Sequence, residues 1–531
     1  MKPHSGRWQA RGAGIFTILP YRSHVTSQTE STRASQATFA ARVRSAVAWR
    51  WGSQVLAQII AWTSTIIVVR LLDPSDYGLF AMTQAVFVAL NFLNGYSFAT
   101  SLIQAPELDE RRIGQVFGLL ILANVGLALA QFALAPVAAD YYGEPAVATM
   151  LRVQALIFLT TPFIALPSAL LARRIEFRSQ GLVNLVSAFV AASTALALAW
   201  FGFGVWALVY APIAGFATRA LGLTIAARML VWPVFDFRGA GDIVSFGGAL
   251  TLCQLFWIVQ SQSDILIAGR SFSPHELGLY SEALFLTLIF SGRFLPPLNE
   301  VAFPAYAELH KAGQPIGPAF LRSARTVMML AAPLYIGLGV TALPLVATVF
   351  GPKWLEMAPI VSGLAFAMPA MALQIICSPT TNALSRPRIY LLTSLAGAII
   401  MPLAFMIGVS QGAQGLVHAW WVAAPLLLAV TLALTLPAIG LRFADLLRAM
   451  LPIAFGCTAM AAAVLVLRSG LSEMPAPLQL LVLVPAGAAT YGLSLWLGWP
   501  QVIAETLAML RQPGVAPTPS PISARADAAA Q

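Results

Sequence analysis

The sequence predicts an all-α integral membrane protein with about fourteen transmembrane helices, and three observations carry that reading. Of its 531 residues 58% are hydrophobic and 10% charged, with a mean hydropathy of +0.78. A soluble domain carries roughly 25% charged residues, because water must wet its surface. The apolar residues come in runs of about 20, the length at which a helix crosses a bilayer. These runs lack the alternation of barrel strands, and a backbone in lipid must satisfy its own hydrogen bonds, so they are helical. Finally, basic residues alternate in density from loop to loop, as they do when loops face opposite sides of a membrane.

Candidate spans lie near 51–70, 79–103, 114–138, 150–171, 181–201, 204–226, 243–268, 279–303, 326–350, 358–382, 389–409, 413–437, 449–467 and 478–498. The spans at 204 and 413 follow their predecessors so closely that each pair must form a tight hairpin. An even number of spans puts both termini on one side. Leaving out the N-terminal tail, seventeen Arg and Lys fall in loops on that side and five on the other: Arg70, Arg152, Arg270, Lys353 and Arg468. The basic side is the cytoplasmic one, so both termini are expected in the cytoplasm. The net charge of +10 is explained by this topology, and a nucleic-acid partner is not called for. Cys253, Cys377 and Cys457 all lie in apolar spans without metal-ligand spacing and read as small core residues. Residues 1–48 read as a disordered basic tail whose apolar patch is too short for a signal peptide, and 501–531 as a second disordered tail.

The chain repeats itself. Arg70, Pro74, Asp76, Gly78, Leu79 and Phe80 return as Arg270, Pro274, Glu276, Gly278, Leu279 and Tyr280, an offset of 200, and Gln54 returns as Gln254. A second echo, at an offset of 208, carries Gly204, Leu208 and Val209 into Gly412, Leu416 and Val417. Each copy holds about six spans, an even number, so the copies share one orientation, as in transporters built from parallel repeats with substrate between the halves. The expected organisation is a six-helix bundle over 49–228, a second over 229–440, and two further helices over 441–500. Within the motif, Pro74 and Gly78 read as ending one helix and turning the chain into the next. Asp76 suits the first turn of the following helix, and Arg70 can snorkel from a helix end.

A first span ending in Arg-Leu-Leu-Asp-Pro-Ser-Asp-Tyr-Gly-Leu-Phe (70–80), followed by Gly-Gln-Val-Phe at 114–117, resembles bacterial polysaccharide transporters, the Wzx-type oligosaccharide flippases, over roughly 50–450. The resemblance implies the fold of MATE-type exporters and lipid II flippases: two six-helix bundles in a V around a cavity, lined by the first two helices of each. It implies transport of undecaprenyl-pyrophosphate-linked oligosaccharide across the bacterial inner membrane, for exopolysaccharide, O-antigen or capsule synthesis. A polysaccharide polymerase and chain-length machinery would then be partners.

Polar residues concentrate where that fold needs them. The cavity candidates are Gln54 and Gln58 in span 1, Gln84, Asn91 and Asn94 in span 2, Gln254 and Gln262 in span 7, and Glu282 and Arg293 in span 8. The competing role for any amide is an interhelical hydrogen bond, worth about 0.6 kcal/mol. A charge at mid-membrane costs roughly 2.5–3.5 kcal/mol on insertion scales. Arg293 therefore has three roles open to it: bidentate contact with a pyrophosphate or acidic sugar, a salt bridge to Asp264 or Glu282, or snorkelling to the interface. Asp264 is the candidate for coupling transport to H+ or Na+, although its closeness to Arg270 also fits the outer interface. No cofactor is expected, and no Gly-Lys-Thr/Ser loop for ATP occurs.

Four functions follow for comparison. A lipid-linked oligosaccharide flippase fits a wet cavity with amides and an Arg. An exporter of small cations on the same fold would want acidic residues deepest in the cavity, whereas the deepest charge is Arg293. A glycan polymerase or ligase would want catalytic groups on a large outside loop, and the outside loops are short. A lipid II flippase shares the fold, but the motif wording lies nearer exopolysaccharide transporters.

Overall fold

The computed structural model of the chain describes residues 49, 52–96, 98–99, 102, 109–174, 176–229, 231–236, 241–384 and 386–501, with the backbone alone for 241–255 and 387. The terminal tails and the side chain of Gln254 lie outside these residues. Among the described residues there are helices and turns and no strand. Ten helical stretches are long and apolar enough to cross a membrane, and one of them, Arg388–Ala438, joins two helices. The protein is a multi-pass membrane protein.

The first half contains α1 (Gly52–Leu71), α2 (Pro74–Asn91), α3 (Glu110–Tyr142), α4 (Pro145–Arg173), α5 (Phe177–Trp200) and α6 (Trp206–Ala226). The second contains α7 (Gly241–Ser271), α8 (Pro274–Lys311), α9 (Ile316–Val340), α10 (Ala358–Ala383), α11 (Pro387–Gly408) and α12 (Gly412–Ala438). A two-turn helix, Ala342–Val349, bridges α9 and α10, and α13 (Phe443–Gly470) and α14 (Ala476–Gly498) complete the chain. At 1.5 Å per residue the 38 residues of α8 amount to about 57 Å of helix, against about 30 Å for a hydrocarbon core. α8 extends past the span at 279–303 because a helix does not stop where hydropathy does.

Both halves use one packing scheme. α5 packs on α6 as α11 packs on α12, α3 on α4 as α9 on α10, and α4 on α6 as α10 on α12. Ser64 on α1 donates to the Ala192 carbonyl on α5 at 3.3 Å, and α7 lies correspondingly on α11. α13 packs on α9 and α14, outside the repeat. The two tight hairpins are present, α5–α6 turning at Gly202 and Gly204 and α11–α12 through a single 3-10 turn, Val409–Gln411. The linker segment 231–236 packs on the first half: the Val234 N–H donates to the Gly114 carbonyl at 2.9 Å. Glycines at 114 and 118 permit this, since a Cβ at Gly118 would overlap the Val234 carbonyl oxygen.

The repeated motif is where the halves join. α2 packs along α8, and a Cβ at Gly78 would overlap the carbonyl oxygen of Pro274, while one at Gly278 would overlap that of Pro74. The expectation that Pro74 and Gly78 end a helix is corrected here. Pro74 occupies the first turn of α2, where its missing N–H costs nothing, and Gly78 lies within α2 at a helix crossing. Arg70 reaches across to the second half. Its Nε donates to the Val349 carbonyl at 2.8 Å and its Nη2 to that of Thr348, both in the second half. Trp354 Nε1 donates to the Val69 carbonyl at 2.9 Å, and Lys353 pairs with Asp73 at 2.7 Å. The first half answers in kind: the Tyr141 hydroxyl donates to the Leu266 carbonyl at 3.2 Å, and the Arg270 guanidinium lies 5.2 Å from the Tyr141 ring centre. One apolar core runs through this junction, from Val69, Leu72 and Met82 into Ala268, Leu279 and Ala283.

The two echoes, at offsets of 200 and 208, turn out to be two sides of one contact. Asp76 accepts the Val205 N–H at 3.0 Å, at the start of α6, and Glu276 accepts the Ala413 N–H at 2.9 Å, at the start of α12. Gly204 and Gly412 stand immediately before those N–H groups with φ of +56° and +69°. These are left-handed conformations that a Cβ resists.

Candidate functional site

Each half encloses a polar cavity on equivalent helices. In the second half a space of about 510 Å³ is walled by α7, α8, α10, α11 and α12. Gln262, Asn299, Gln374, Thr381, Thr393 and Ser394 are among its lining, a set rich in groups that bond sugar hydroxyls. Asp264 lies against this cavity, 2% exposed. Its Oδ1 accepts the Ile265 N–H at 2.8 Å and its Oδ2 accepts the Tyr280 hydroxyl at 3.0 Å. Trp420 Nε1 in turn donates to the Tyr280 oxygen at 2.9 Å. The carboxylate is therefore held by a relay across three helices and makes no salt bridge among the described residues.

In the first half a cavity of about 430 Å³ is walled by α1, α4, α5 and α6 and by the chain just after α2. Gln54, Tyr96, Ser168, Gln180, Asn184 and Arg219 line it. Gln54 is the one first-half cavity candidate that the structure places here.

The other candidates are dispersed. Gln58 and Gln84 are half-buried on α1 and α2 and line neither cavity. Asn91 and Asn94 tie down the break that ends α2. Asn94 Nδ2 donates to Asn91 Oδ1 at 3.1 Å, Asn94 Oδ1 accepts the Tyr96 N–H at 3.0 Å, and Asn124 on α3 donates to the Asn94 carbonyl at 2.9 Å. Gly95 turns the chain there with φ of +76°. These two amides complete a bend and are not among the lining of the two cavities.

Arg293 is exposed on α8 and has no ion-pair partner among the described residues, so the salt bridge to Asp264 or Glu282 is not formed. It sits eleven residues, three helical turns, beyond Glu282 and shares that residue's face. Glu282 is half-buried. Next along the α8 surface runs an apolar groove of about 570 Å³ between α8, α9, α13 and α14, lined by Ile289, Phe290, Phe294, Leu334, Val464 and Leu483 among others. Arg293 adjoins Phe294, one of the residues that line this groove.

Sequence reasoning put the polar walls on spans 1, 2, 7 and 8. It missed those supplied by α4 to α6 and α10 to α12. The readable signals were Gln180 and Asn184 at i, i+4, which share a helix face, and Arg219. That arginine lies inside α6.

Two same-facing helical halves, joined at a repeated glycine crossing and each hollowed by a polar cavity within apolar helices, define a polytopic membrane protein built on an internal repeat. Residues 67–359, more than half the chain, match the family described as "Polysaccharide biosynthesis protein", and the chain belongs to it. It is similar to the succinoglycan biosynthesis transport protein ExoT of Rhizobium meliloti, 24% identical over 57% of this chain and 61% of that one. It is also similar to the lipopolysaccharide biosynthesis protein WzxC of Escherichia coli, 22% identical over 55% of this chain and 60% of that one. The match spans about three fifths of those relatives' length. Its fold is that of the lipid II flippase MurJ in an inward closed conformation, with a TM-score of 0.69 at 11% identity over 86% of this chain and 99% of that one.

Proposed function

We propose that the chain translocates polyprenyl-pyrophosphate-linked oligosaccharide across the bacterial inner membrane by alternating access of its two halves, over 49–228 and 229–440, with both termini in the cytoplasm. The observation that carries this reading is the Gly78–Gly278 crossing, a backbone-to-backbone pivot between two same-facing halves that each contain a polar cavity. On the proposed topology Arg70, Arg270 and Lys353 lie on the outer side. The bonds from Arg70 to Val349 and from Lys353 to Asp73 then form an outer seal, with the entrance toward the cytoplasm. Amides and hydroxyls bind glycan hydroxyls weakly and broadly, as a carrier must if it is to release its load. The apolar groove beside Arg293 suits a prenyl chain that never leaves a lipid-like setting, while Arg293 suits the anionic end at its margin. Asp264, held by Tyr280, suits an H+ or Na+ that couples transport to a gradient. Undecaprenyl pyrophosphate as carrier, and a polymerase with chain-length machinery as partners, belong to the same reading. The membership in a polysaccharide biosynthesis family and the word "transport" in the name of ExoT support it.

Deletion of the gene tests it. Surface polysaccharide should be lost while lipid-linked intermediates accumulate on the cytoplasmic leaflet. Unchanged glycans accompanied by new drug sensitivity would point instead to an exporter.

A further inference from the structure

The end of the first half away from Arg70 gathers several arginines, and most have structural partners. Arg173 Nη1 donates to the Leu102 carbonyl at 2.9 Å, and Arg174 Nη1 to that of Ala227 at 3.4 Å. Arg111 pairs with Asp236 at 2.9 Å, and the Arg178 guanidinium lies 5.1 Å from the centre of the Trp49 ring. Arg219 differs. Its Nε is buried and has no hydrogen-bond partner among the described residues. Its side chain lines the first-half cavity, where no other described lining residue is charged.

The walls around it are suited to an anion. Gln54, Tyr96 and Asn184 bring N–H and O–H donors, while Gln180 is committed to the Ser168 carbonyl at 2.8 Å. A neutral sugar would use such amides but has no need of a guanidinium inside a helix bundle. A phosphate ester has that need, because the planar fork of an Arg matches two of its oxygens. Among the described residues the matching cavity of the second half has no cationic lining and carries Asp264 instead. The repeat therefore keeps its helices and reverses its charge. Depth agrees: Arg219 lies seven residues before the end of α6, about 10 Å along the axis. In a hydrocarbon core of about 30 Å, that keeps it within the leaflet on the termini side, short of the midplane.

We propose that this cavity binds the phosphate group of a membrane lipid, with Arg219 as the anchoring cation. Resting on the transport reading above, the lipid is the pyrophosphate-bearing carrier itself, captured at the cytoplasmic leaflet before its glycan enters.

The test is binding by the purified full chain in phosphatidylcholine nanodiscs, titrated separately with undecaprenyl pyrophosphate and with phosphatidylglycerol, and read by native mass spectrometry. Undecaprenyl pyrophosphate should bind at least ten-fold more weakly to Arg219→Gln and to Asn184→Leu, which removes an amide donor from the wall without removing charge, and Arg219→Lys should retain part of the affinity. Phosphatidylglycerol should bind all forms alike. If the substitutions weaken phosphatidylglycerol and not undecaprenyl pyrophosphate, the phosphate site stands but its assignment to the carrier is overturned. Equal binding of both lipids to wild type and to both cavity variants overturns the site. Asn184→Leu decides the matter should Arg219→Gln fail to fold. Because nothing here requires flipping, a deletion strain with intact surface polysaccharide would sink the transport reading and leave the binding result unaffected.

Discussion

Gly78 and Gly278 touch across the junction of the halves, each so close to the opposite helix that a Cβ would overlap a proline carbonyl oxygen. Backbone atoms cannot rotate aside as a side chain can. Gly78→Ala and Gly278→Ala should each destabilise the protein by about 1–3 kcal/mol, the range for overpacking a tight contact. Thermal unfolding in detergent checks this, with a lower midpoint expected for either variant. The double variant should fall short of the sum, because both changes open one contact. Gly126→Ala on α3, which meets open space, is the control and should leave the midpoint unchanged or slightly raised.

Asp76 and Glu276 each hold the first N–H groups of a partner helix in the same half. Removing either acceptor by Asp76→Ala or Glu276→Ala leaves a helix start uncapped, at a cost of about 0.5–2 kcal/mol. Asp76→Asn and Glu276→Gln keep an acceptor oxygen and should lose less. Urea or thermal unfolding that ranks Ala and amide variants equally would mean that the contact carries no stability.

Much of this could be read from the sequence, and the failures have one cause. The repeat at offset 200 located the junction, and the tight hairpins followed from spacing alone. What spacing could not give was the partner of each motif residue. Arg70 and Gly78 look like turn residues until the second half is laid against them, because their contacts lie roughly 200 to 280 residues away. The amides divided for a similar reason. Gln54 and Gln262 reach cavities, whereas Asn91 and Asn94 satisfy the bend at Gly95. Nothing in residue type distinguishes an amide that completes a backbone break from one that faces a cavity. The family resemblance placed the polar walls on the first two helices of each half. The second and third hairpins of each half contribute as much lining, and only packing reveals it.

Asp264 can be separated from its surroundings experimentally. Asp264→Asn keeps the shape and can still accept from Tyr280, but it removes the charge that would bind or release a cation. In proteoliposomes with an imposed H+ or Na+ gradient, wild type should move lipid-linked sugar faster with the gradient than without. Asp264→Asn should show one rate under both conditions, and Tyr280→Phe should shift the ion dependence while preserving it. A variant that still responds fully to the gradient would remove Asp264 from the coupling step and leave it as a packing residue.

Arg293 decides between a substrate contact and a helix tie. A residue that pairs helices leaves a buried opposite charge behind when it is removed, which destabilises strongly. Arg293 is exposed and has no such partner among the described residues, so Arg293→Ala should fold and accumulate normally. Glu282 shares its face and stands three turns away, about 16 Å along the axis, too far for a direct bond. If Arg293 instead meets the anionic end of a carrier whose chain lies in the adjoining groove, Arg293→Ala should abolish transport, and Arg293→Lys should restore only part of it, since a point charge cannot make the two-pronged contact. Flux in proteoliposomes measured beside protein abundance separates the outcomes. Normal flux with normal abundance would make Arg293 an interfacial residue, and reduced abundance would make it a structural one.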